Sequence, residues 1–406
     1  MKRNKISIVA VGINGYGHGY LANVLDASPD KDVELAGVVD PAWEKSVRIE
    51  DIKQRKIPAY SDLESFYKEH KADLAVISSP IHLHVPQSLT ALANGSHVLC
   101  EKPLCATIQE AATLAEAARK SAKLVSIGYQ WSFSEPVQAL KNDIINGLFG
   151  APISLKTLVL WPRREIYYKR NNWAGAMKNS SGKWILDSPI NNATAHYLHN
   201  MLYILGPETD SAATLADVQA ELYRANKIQN FDTAALRCHT DKGVEILFYS
   251  AHAIPVSIGP VLNYRFEKGT VYGCGDFTAR FTDGTIKKYG VPHGYCDGKL
   301  WQTVESIRSG TLKNFCSPET ASAQTLCING AQDSMPDIVS FPENLITVDT
   351  NENNDHLTWV KGLDAFFIQC FDLGILPSEH GNIPWAKAGK KISLADYKSY
   401  PGGCSQ

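Results

Sequence analysis

A short apolar run, Ile6–Val11, leads directly into Gly12-Ile13-Asn14-Gly15-Tyr16-Gly17, and a helical stretch follows from Tyr20 to Leu25. Strand, glycine turn and helix, in that order, constrain this chain more than any other feature. Glycines let the backbone bend where a Cβ would clash, and the helix behind them aims unpaired N–H groups at an anion. In a G-x-G-x-x-G frame Gly12 and Gly17 take the first and third places, Asn14 takes the second, and Gly15 is additional. Asparagine tolerates left-handed backbone, so the turn can close, and Gly15 is the other candidate for close approach to a pyrophosphate. Tyr16 lies in the same loop and is counted with these four as a dinucleotide contact.

The alternation continues. Val33–Val39 reads as a strand ending at Asp40, residues 43–52 as a helix, and Leu74–Ile77 as a strand ending at Ser78-Ser79-Pro80. Residues 86–94 read as a helix stopped by Gly95, and His97–Cys100 as a strand ending at Glu101-Lys102-Pro103. A helix over 108–122 and a strand over 124–128 then lead to Tyr129. This is the pattern of a doubly wound parallel sheet, whose ligands sit beyond the carboxyl ends of the strands. Gly12, Asp40, Ser79, Glu101 and Tyr129 all fall at such ends. A carboxylate roughly 20 residues past the glycines grips ribose hydroxyls and repels a 2′-phosphate. No arginine adjoins Asp40, so NAD is favoured over NADP. The plain alternative for Asp40 is a carboxylate capping a turn.

At 406 residues the chain is long enough for two domains. Its 44% hydrophobic and 20% charged residues are those of a soluble globular protein. A formal net charge of −2 gives no reason to expect nucleic acid as a partner. No run approaches the roughly 18 apolar residues of a membrane span. Met1-Lys2-Arg3-Asn4-Lys5 reads as a basic lead-in to the first strand rather than a leader peptide. The nine cysteines are scattered without C-x-x-C spacing, which suits free buried thiols in a reducing compartment and an expected cytoplasmic location.

The glycine turn, the acidic strand end, Ser79-Pro80 with His84 four residues on, and Glu101-Lys102-Pro103 together resemble the glucose–fructose oxidoreductase/inositol dehydrogenase (Gfo/Idh/MocA) family. The likeness is good over about the first 130 residues and looser beyond. It implies NAD(P)-dependent oxidation of sugars, polyols and related carbinols. The fold it implies is α/β: an N-terminal Rossmann doubly wound parallel sheet plus a C-terminal α/β domain with a large open, mostly antiparallel sheet. The expected division is 1–128 for the Rossmann domain, 129–376 for a substrate and oligomerisation domain, and 377–406 for a C-terminal extension. By resemblance Lys102 lies beside the nicotinamide ribose and the reacting carbon, and Glu101 and Pro103 shape the turn that presents it. Ser79, Pro80 and His84 lie near the cofactor, although a histidine at a strand end is more often structural. Family members carry an Asn-Arg-Phe-like segment after the last Rossmann strand. Here Tyr129-Gln130-Trp131-Ser132-Phe133 stands there, with Ser132 in place of the arginine, and Tyr129 and Trp131 are substrate candidates.

In the second half, strands are expected over 154–161, 218–223, 234–238, 245–249, 263–267 and 270–273, separated by polar or glycine-containing turns. Strands without regular intervening helices argue for antiparallel pairing. Residues 357–373 read as one amphipathic helix with Trp359, Leu363, Phe366, Phe367 and Phe371 buried. The chemically dense stretch runs from Arg163-Arg164 to His196. Family members carry an Asp-x-x-x-His pair here. Asn192 and His196 fit that spacing on one helical face, and Asp187 is the alternative partner in a second register. His196 is the candidate general acid/base, since its ordinary pKa permits proton exchange near neutrality. Arg163 and Arg164 either orient a hydroxyl-rich or anionic substrate or belong to a solvated loop. A metal reading of Asp187, Asn192 and His196 is the weaker one, because carboxylates are few for a hard cation, and no metal is expected.

The resulting expectation is reversible hydride transfer between nicotinamide and a secondary carbinol of a sugar, polyol or inositol, with Lys102 and His196 as the working groups. The partner is a small carbohydrate or polyol, and association into a homo-oligomer is expected through an open sheet face. Two other readings stand beside it. One is a glycoside-cleaving relative that oxidises its sugar transiently, and the other is a non-catalytic sugar or nucleotide sensor.

Overall fold

The computed structural model describes residues 5–292, 296–381 and 383–402. The chain divides into two compact units. The first comprises residues 1–105, 110–134 and 293–322, and the second comprises 106–109, 135–292 and 323–406. Neither unit is one continuous run, unlike the expected 1–128 and 129–376.

The first unit is built on β1 (Ile6–Val11), α1 (Gly17–Leu25), β2 (Val33–Val39), α2 (Ile49–Gln54), β3 (Ala59–Tyr60), α3 (Leu63–Glu69), β4 (Leu74–Ile77), α4 (Ile81–Ala93), β5 (His97–Cys100), α5 (Ile108–Ser121) and β6 (Val125–Ile127). Its six strands lie in the order β3-β2-β1-β4-β5-β6, all parallel. Every residue of β4 and β6 is buried, as a sheet covered on both faces requires. Two helices differ from expectation. Residues 43–52 do not form one helix. A single 3-10 turn over Trp43–Lys45 ends at Ser46 in extended backbone, and α2 starts afresh at Ile49. α4 begins one turn before Pro86, with extended Pro80 before it, so His84 is helical. The proline ring is accommodated inside α4 at the loss of one backbone donor.

The second unit contains α6 (Glu135–Ile145), β7 (Pro152–Leu160), α7 (Glu165–Lys169), α8 (Ala195–Ile204), β8 (Leu215–Arg224), β9 (Thr233–Thr240), β10 (Glu245–Ala251), β11 (Ile258–Phe266), β12 (Gly269–Gly273), β13 (Phe277–Phe281) and β14 (Ile286–Gly290). The chain then contributes α9 (Cys296–Ser309) to the first unit. α10 (Pro318–Ser334), β15 (Val339–Ser340), β16 (Ile346–Thr350), β17 (His356–Val360), α11 (Leu363–Leu373) and β18 (Ile392–Ser393) follow. The large sheet runs β14-β13-β12-β11-β7-β10-β9-β8-β15, with β18 also paired to β8. It is antiparallel apart from β7–β10 and β8–β15. The six expected strands are all present, within a few residues of the expected ends.

One face of β7 and β10 is sealed by this chain itself. Leu158, Leu160, Leu247 and Tyr249 form one buried cluster with Val360, Leu363, Phe367 and Phe371. The sheet is therefore not open there, and association through that stretch loses its basis. The span read as one helix over 357–373 is a strand, β17, and a helix, α11, separated at Gly362, whose φ is +72°. Trp359 is consequently a strand residue, and its indole N–H donates to Asp349 of β16 at 2.8 Å. The tail docks on the same unit: Trp385 meets Tyr223 and Phe341 at 5.0 and 4.8 Å between ring centres. The eight described cysteines are free thiols, and Cys404 lies outside the described residues. Among the described residues no helix is long and apolar enough to cross a membrane.

Candidate functional site

In the first unit the glycine turn closes as its sequence requires. Gly12 has φ +75°, and a Cβ there would stand 2.7 Å from the Ser78 carbonyl. At Gly17 a Cβ would stand 1.8 Å from the Gly12 carbonyl oxygen, so the start of α1 is pressed against the turn. Gly15 has φ +58° and nothing within 4 Å of its Cβ position, which leaves the turn open on that side. Asn14 ties the turn to the end of β2: its side-chain amide donates to the Ala42 carbonyl at 3.1 Å, and its backbone N–H points to Asp40 at 3.4 Å. Asp40 also accepts from the Ala42 N–H at 2.8 Å and is half-buried. Tyr16 is half exposed, its hydroxyl 3.3 Å from Gln130 and 3.4 Å from the Lys299 ammonium. It leans toward α9 as well as standing in the turn.

The Glu101-Lys102-Pro103 segment divides its charges. Lys102 is half-buried, whereas Glu101 is buried and forms an ion pair with Lys299 of α9, itself buried. The Tyr20 hydroxyl donates to the same carboxylate at 2.6 Å. Burial works to raise the Glu101 pKa, but Lys299 outweighs it and holds the carboxyl below its ordinary range. Glu101 is thus spent on the interior. The Lys102–Pro103 peptide is cis.

His84 is buried, with Nδ1 2.7 Å from the Pro103 carbonyl and Nε2 2.8 Å from the Ser79 carbonyl. Burial pushes its pKa down. Both ring nitrogens face backbone oxygens, so the ring clamps the Ser79-Pro80 turn to the Lys102-Pro103 turn rather than reaching a ligand. The Ser79 hydroxyl donates to Gln87 at 2.6 Å. Tyr129 has no exposed surface and Trp131 only 6%. Buried aromatic bodies of this kind fill a core, and Tyr129 offers no face to a substrate.

In the second unit Asp187 is buried. It accepts from the Gly175 N–H at 2.6 Å and from the Asn192 side-chain amide at 2.7 Å. The residue before it, Leu186, has φ +52°, a conformation costing about 1–2 kcal/mol for a side chain with a Cβ. α8 begins only at Ala195, so Asn192 lies in the preceding turn and does not share a helical face with His196. The turn is held instead by Thr194, whose hydroxyl donates to the Pro189 carbonyl at 2.8 Å. The two registers therefore merge, because Asp187 and Asn192 are bonded to each other. His196 is half-buried at the first turn of α8. Its neighbour Tyr197 packs edge-on against Trp161 at 5.5 Å.

The arginines differ in what holds them. Arg164 donates to the Asp355 carbonyl at 2.9 Å. Arg163 lies over the Tyr167 and Trp161 rings at 4.9 and 5.8 Å and donates to its own neighbour, the Pro162 carbonyl, at 3.1 Å. His252 holds the Trp161 carbonyl through Nδ1 at 2.8 Å, and its Nε2 is buried without a partner. Burial and Arg163 push the His252 pKa down to about 3, so it stays neutral and presents an acceptor. Tyr167 and Tyr168 lie in the chemically dense stretch but took no individual role from the sequence, and His252 was not singled out there. Among the described residues no group of three or more His, Cys, Asp and Glu is arranged to hold a metal.

Residues 6–129 match the family described as "Oxidoreductase family, NAD-binding Rossmann fold" under the heading Gfo/Idh/MocA. Over these residues, about a third of its length, the chain is similar to the Gfo/Idh/MocA family. D-glucoside 3-dehydrogenase of Escherichia coli is 28% identical over 137 residues, 33% of this chain and 39% of that protein. Alpha-N-acetylgalactosaminidase of Shewanella oneidensis is 24% identical over 181 residues, 42% of this chain and 39% of that protein. Each match thus covers less than half of the relative's length. A WlbA dehydrogenase from Chromobacterium violaceum, solved with NADH and UDP-GlcNAcA, shares the fold with TM-score 0.68 and 20% identity, covering 82% of this chain and 95% of that one. The donor set at the glycine turn fits NAD: open backbone at Gly15, a helix start at Gly17, and an acidic strand end at Asp40 with no arginine next to it in sequence.

Proposed function

We propose that this chain is an NAD-dependent oxidoreductase acting on a secondary carbinol of a sugar, polyol or inositol. The observation that carries the reading lies in the first unit. The glycine turn, Asp40 and Lys102 all stand at the carboxyl ends of strands of one parallel sheet, where such sheets bind nucleotides. The likeness to D-glucoside 3-dehydrogenase supports the substrate class.

Gly12, Asn14, Gly15 and Gly17 would cradle the pyrophosphate, and Asp40 would hold the ribose hydroxyls. Bound NAD supplies the hydride acceptor. An alcohol that loses hydride from carbon must also lose a proton from oxygen, so a base has to meet the hydroxyl and a cation has to favour the developing alkoxide. His196 takes the proton and Lys102 stabilises the negative oxygen. Asp187 and Asn192, locked to each other beside the start of α8, fix the turn that carries His196. Arg163 and Arg164 orient the substrate's remaining oxygens. Self-association belongs to the same proposal, through the part of the large sheet where Tyr272 and Ile286 are exposed.

The test begins with the nucleotide released on denaturing the purified protein, followed by NAD reduction over a panel of sugars and inositols. Lys102→Ala and His196→Ala should each lower turnover by ~10²–10⁴-fold while NAD affinity changes little. Wild-type turnover in either variant removes that residue from the mechanism. The likeness to alpha-N-acetylgalactosaminidase favours a second reading, in which the sugar is oxidised only transiently to cleave a glycoside. That enzyme would release p-nitrophenol from p-nitrophenyl N-acetyl-α-galactosaminide without net NADH.

A further inference from the structure

Lys299 is the most deeply buried cation near the chemistry of the first unit, with its side chain wholly inaccessible. Its ammonium reaches Glu101, the Gly128 carbonyl at 3.2 Å and the Tyr16 hydroxyl at 3.4 Å. It also lies 5.1 and 5.4 Å from the Tyr16 and Tyr20 ring centres. These contacts join three places at the carboxyl edge of the sheet: the turn after β1, the segment after β5 and the residue after β6. The surrounding backbone is cut to fit. A Cβ on Gly128 would stand 2.9 Å from the Glu101 carboxylate, and one on Gly19 would stand 2.9 Å from the Cys296 sulfur, one turn before Lys299 on α9.

The other oxygen of Glu101 accepts the backbone N–H of Lys102 at 3.1 Å. We infer that Lys299 is the positioning residue for Lys102: its ammonium keeps the Glu101 carboxylate ionised and aimed, and that carboxylate fixes the backbone on which the Lys102 side chain is carried. The inference rests on the proposed role of Lys102 for its functional meaning, but its geometry stands without it. A buried carboxylate stripped of its cation takes up a proton instead of remaining an uncompensated charge. It then offers a weaker acceptor to the Lys102 N–H, since hydrogen bonds to ionised acceptors are the stronger ones. Lys299 lies outside the residues 6–129 that match the family, whereas Glu101 and Lys102 lie within them.

The experiment uses the full-length protein with its lysines dimethylated by ¹³C-formaldehyde, and a Lys102→Arg variant identifies the Lys102 signal. Lys299→Met leaves Glu101 unpaired and should lower the melting temperature. Glu101→Gln/Lys299→Met removes both charges and should regain most of that loss, because replacing a buried pair is far milder than breaking it. The expected result is a Lys102 signal displaced from its wild-type position in the folded double variant, and in Lys299→Met if that folds. A Lys102 signal coincident with wild type in the folded double variant overturns the inference. Adding NAD to wild type separates this from the functional reading. If the Lys102 signal is displaced by the double substitution yet does not respond to NAD, positioning stands and the placement of Lys102 beside the nicotinamide fails.

Discussion

Gly15 and Gly17 sit two residues apart in one turn, yet a single methyl group should separate them sharply. At Gly17 it would stand 1.8 Å from the Gly12 carbonyl oxygen, a rigid backbone neighbour. Gly17→Ala should therefore disrupt the turn, lowering the melting temperature and abolishing NAD binding in calorimetry. At Gly15 the methyl meets nothing within 4 Å and only the φ of +58° resists it, a cost of about 1–2 kcal/mol. Gly15→Ala should fold and weaken NAD by roughly tenfold or less; equal loss in the two variants would contradict this account of the turn. The glycine frame was legible because a turn of this kind is decided by neighbours in the chain. The partner of Glu101 was not legible, since Lys299 stands 198 residues away and nothing local distinguishes it from any helical lysine.

Elements whose interiors are fully apolar, such as β4 and β5, were read correctly because their burial is written in consecutive residues. Boundaries were harder where tertiary contacts override the local pattern. Residues 357–373 keep an apolar rhythm throughout, but pairing with β16 draws the first few into a strand, and left-handed Gly362 resets the chain before α11. The tail was the least legible segment, being polar and short of regular structure. It is held by a few anchors: Trp385 among Tyr223, Phe341 and Phe366, and Gly389 where a Cβ would stand 2.1 Å from the Ala220 carbonyl oxygen. Trp385→Ala should cost up to about 3 kcal/mol, the lower end for losing a large aromatic, because this indole is only partly buried. Chemical denaturation measures that loss. An unchanged midpoint would mean that the tail adds nothing to the stability of the sheet it covers.

Across the whole molecule, acid sensitivity should begin above the range where carboxylates titrate. Burial, with Lys141 adding to it, pushes the His199 pKa down to about 3, and burial with Arg163 does the same for His252. In the unfolded chain both return to about 6.5. Between those values the unfolded state binds the protons that the folded state refuses, so stability present above about pH 6.5 is lost as pH falls toward 3. Each site contributes on the order of a few kcal/mol over that span. Two carboxyls oppose the trend: burial raises the pKa of Glu221 and of Asp232, so as pH falls each gains a proton in the folded state first and offsets part of the loss. Glu101 acts in the same direction as the histidines, because its lowered pKa removes stability only when acid reaches the ordinary carboxylate range and below. Thermal melts from pH 8 to pH 4 should therefore fall in two stages, a first below about 6.5 from the histidines and a second below about 4.5 from the paired carboxylates. His199→Gln removes one titrating ring from the first stage alone, and the variant should lose less of its melting temperature between pH 7 and pH 5 than wild type does. A wild-type melting temperature that holds constant across that interval would show that the buried imidazoles are not what couples this fold to protons.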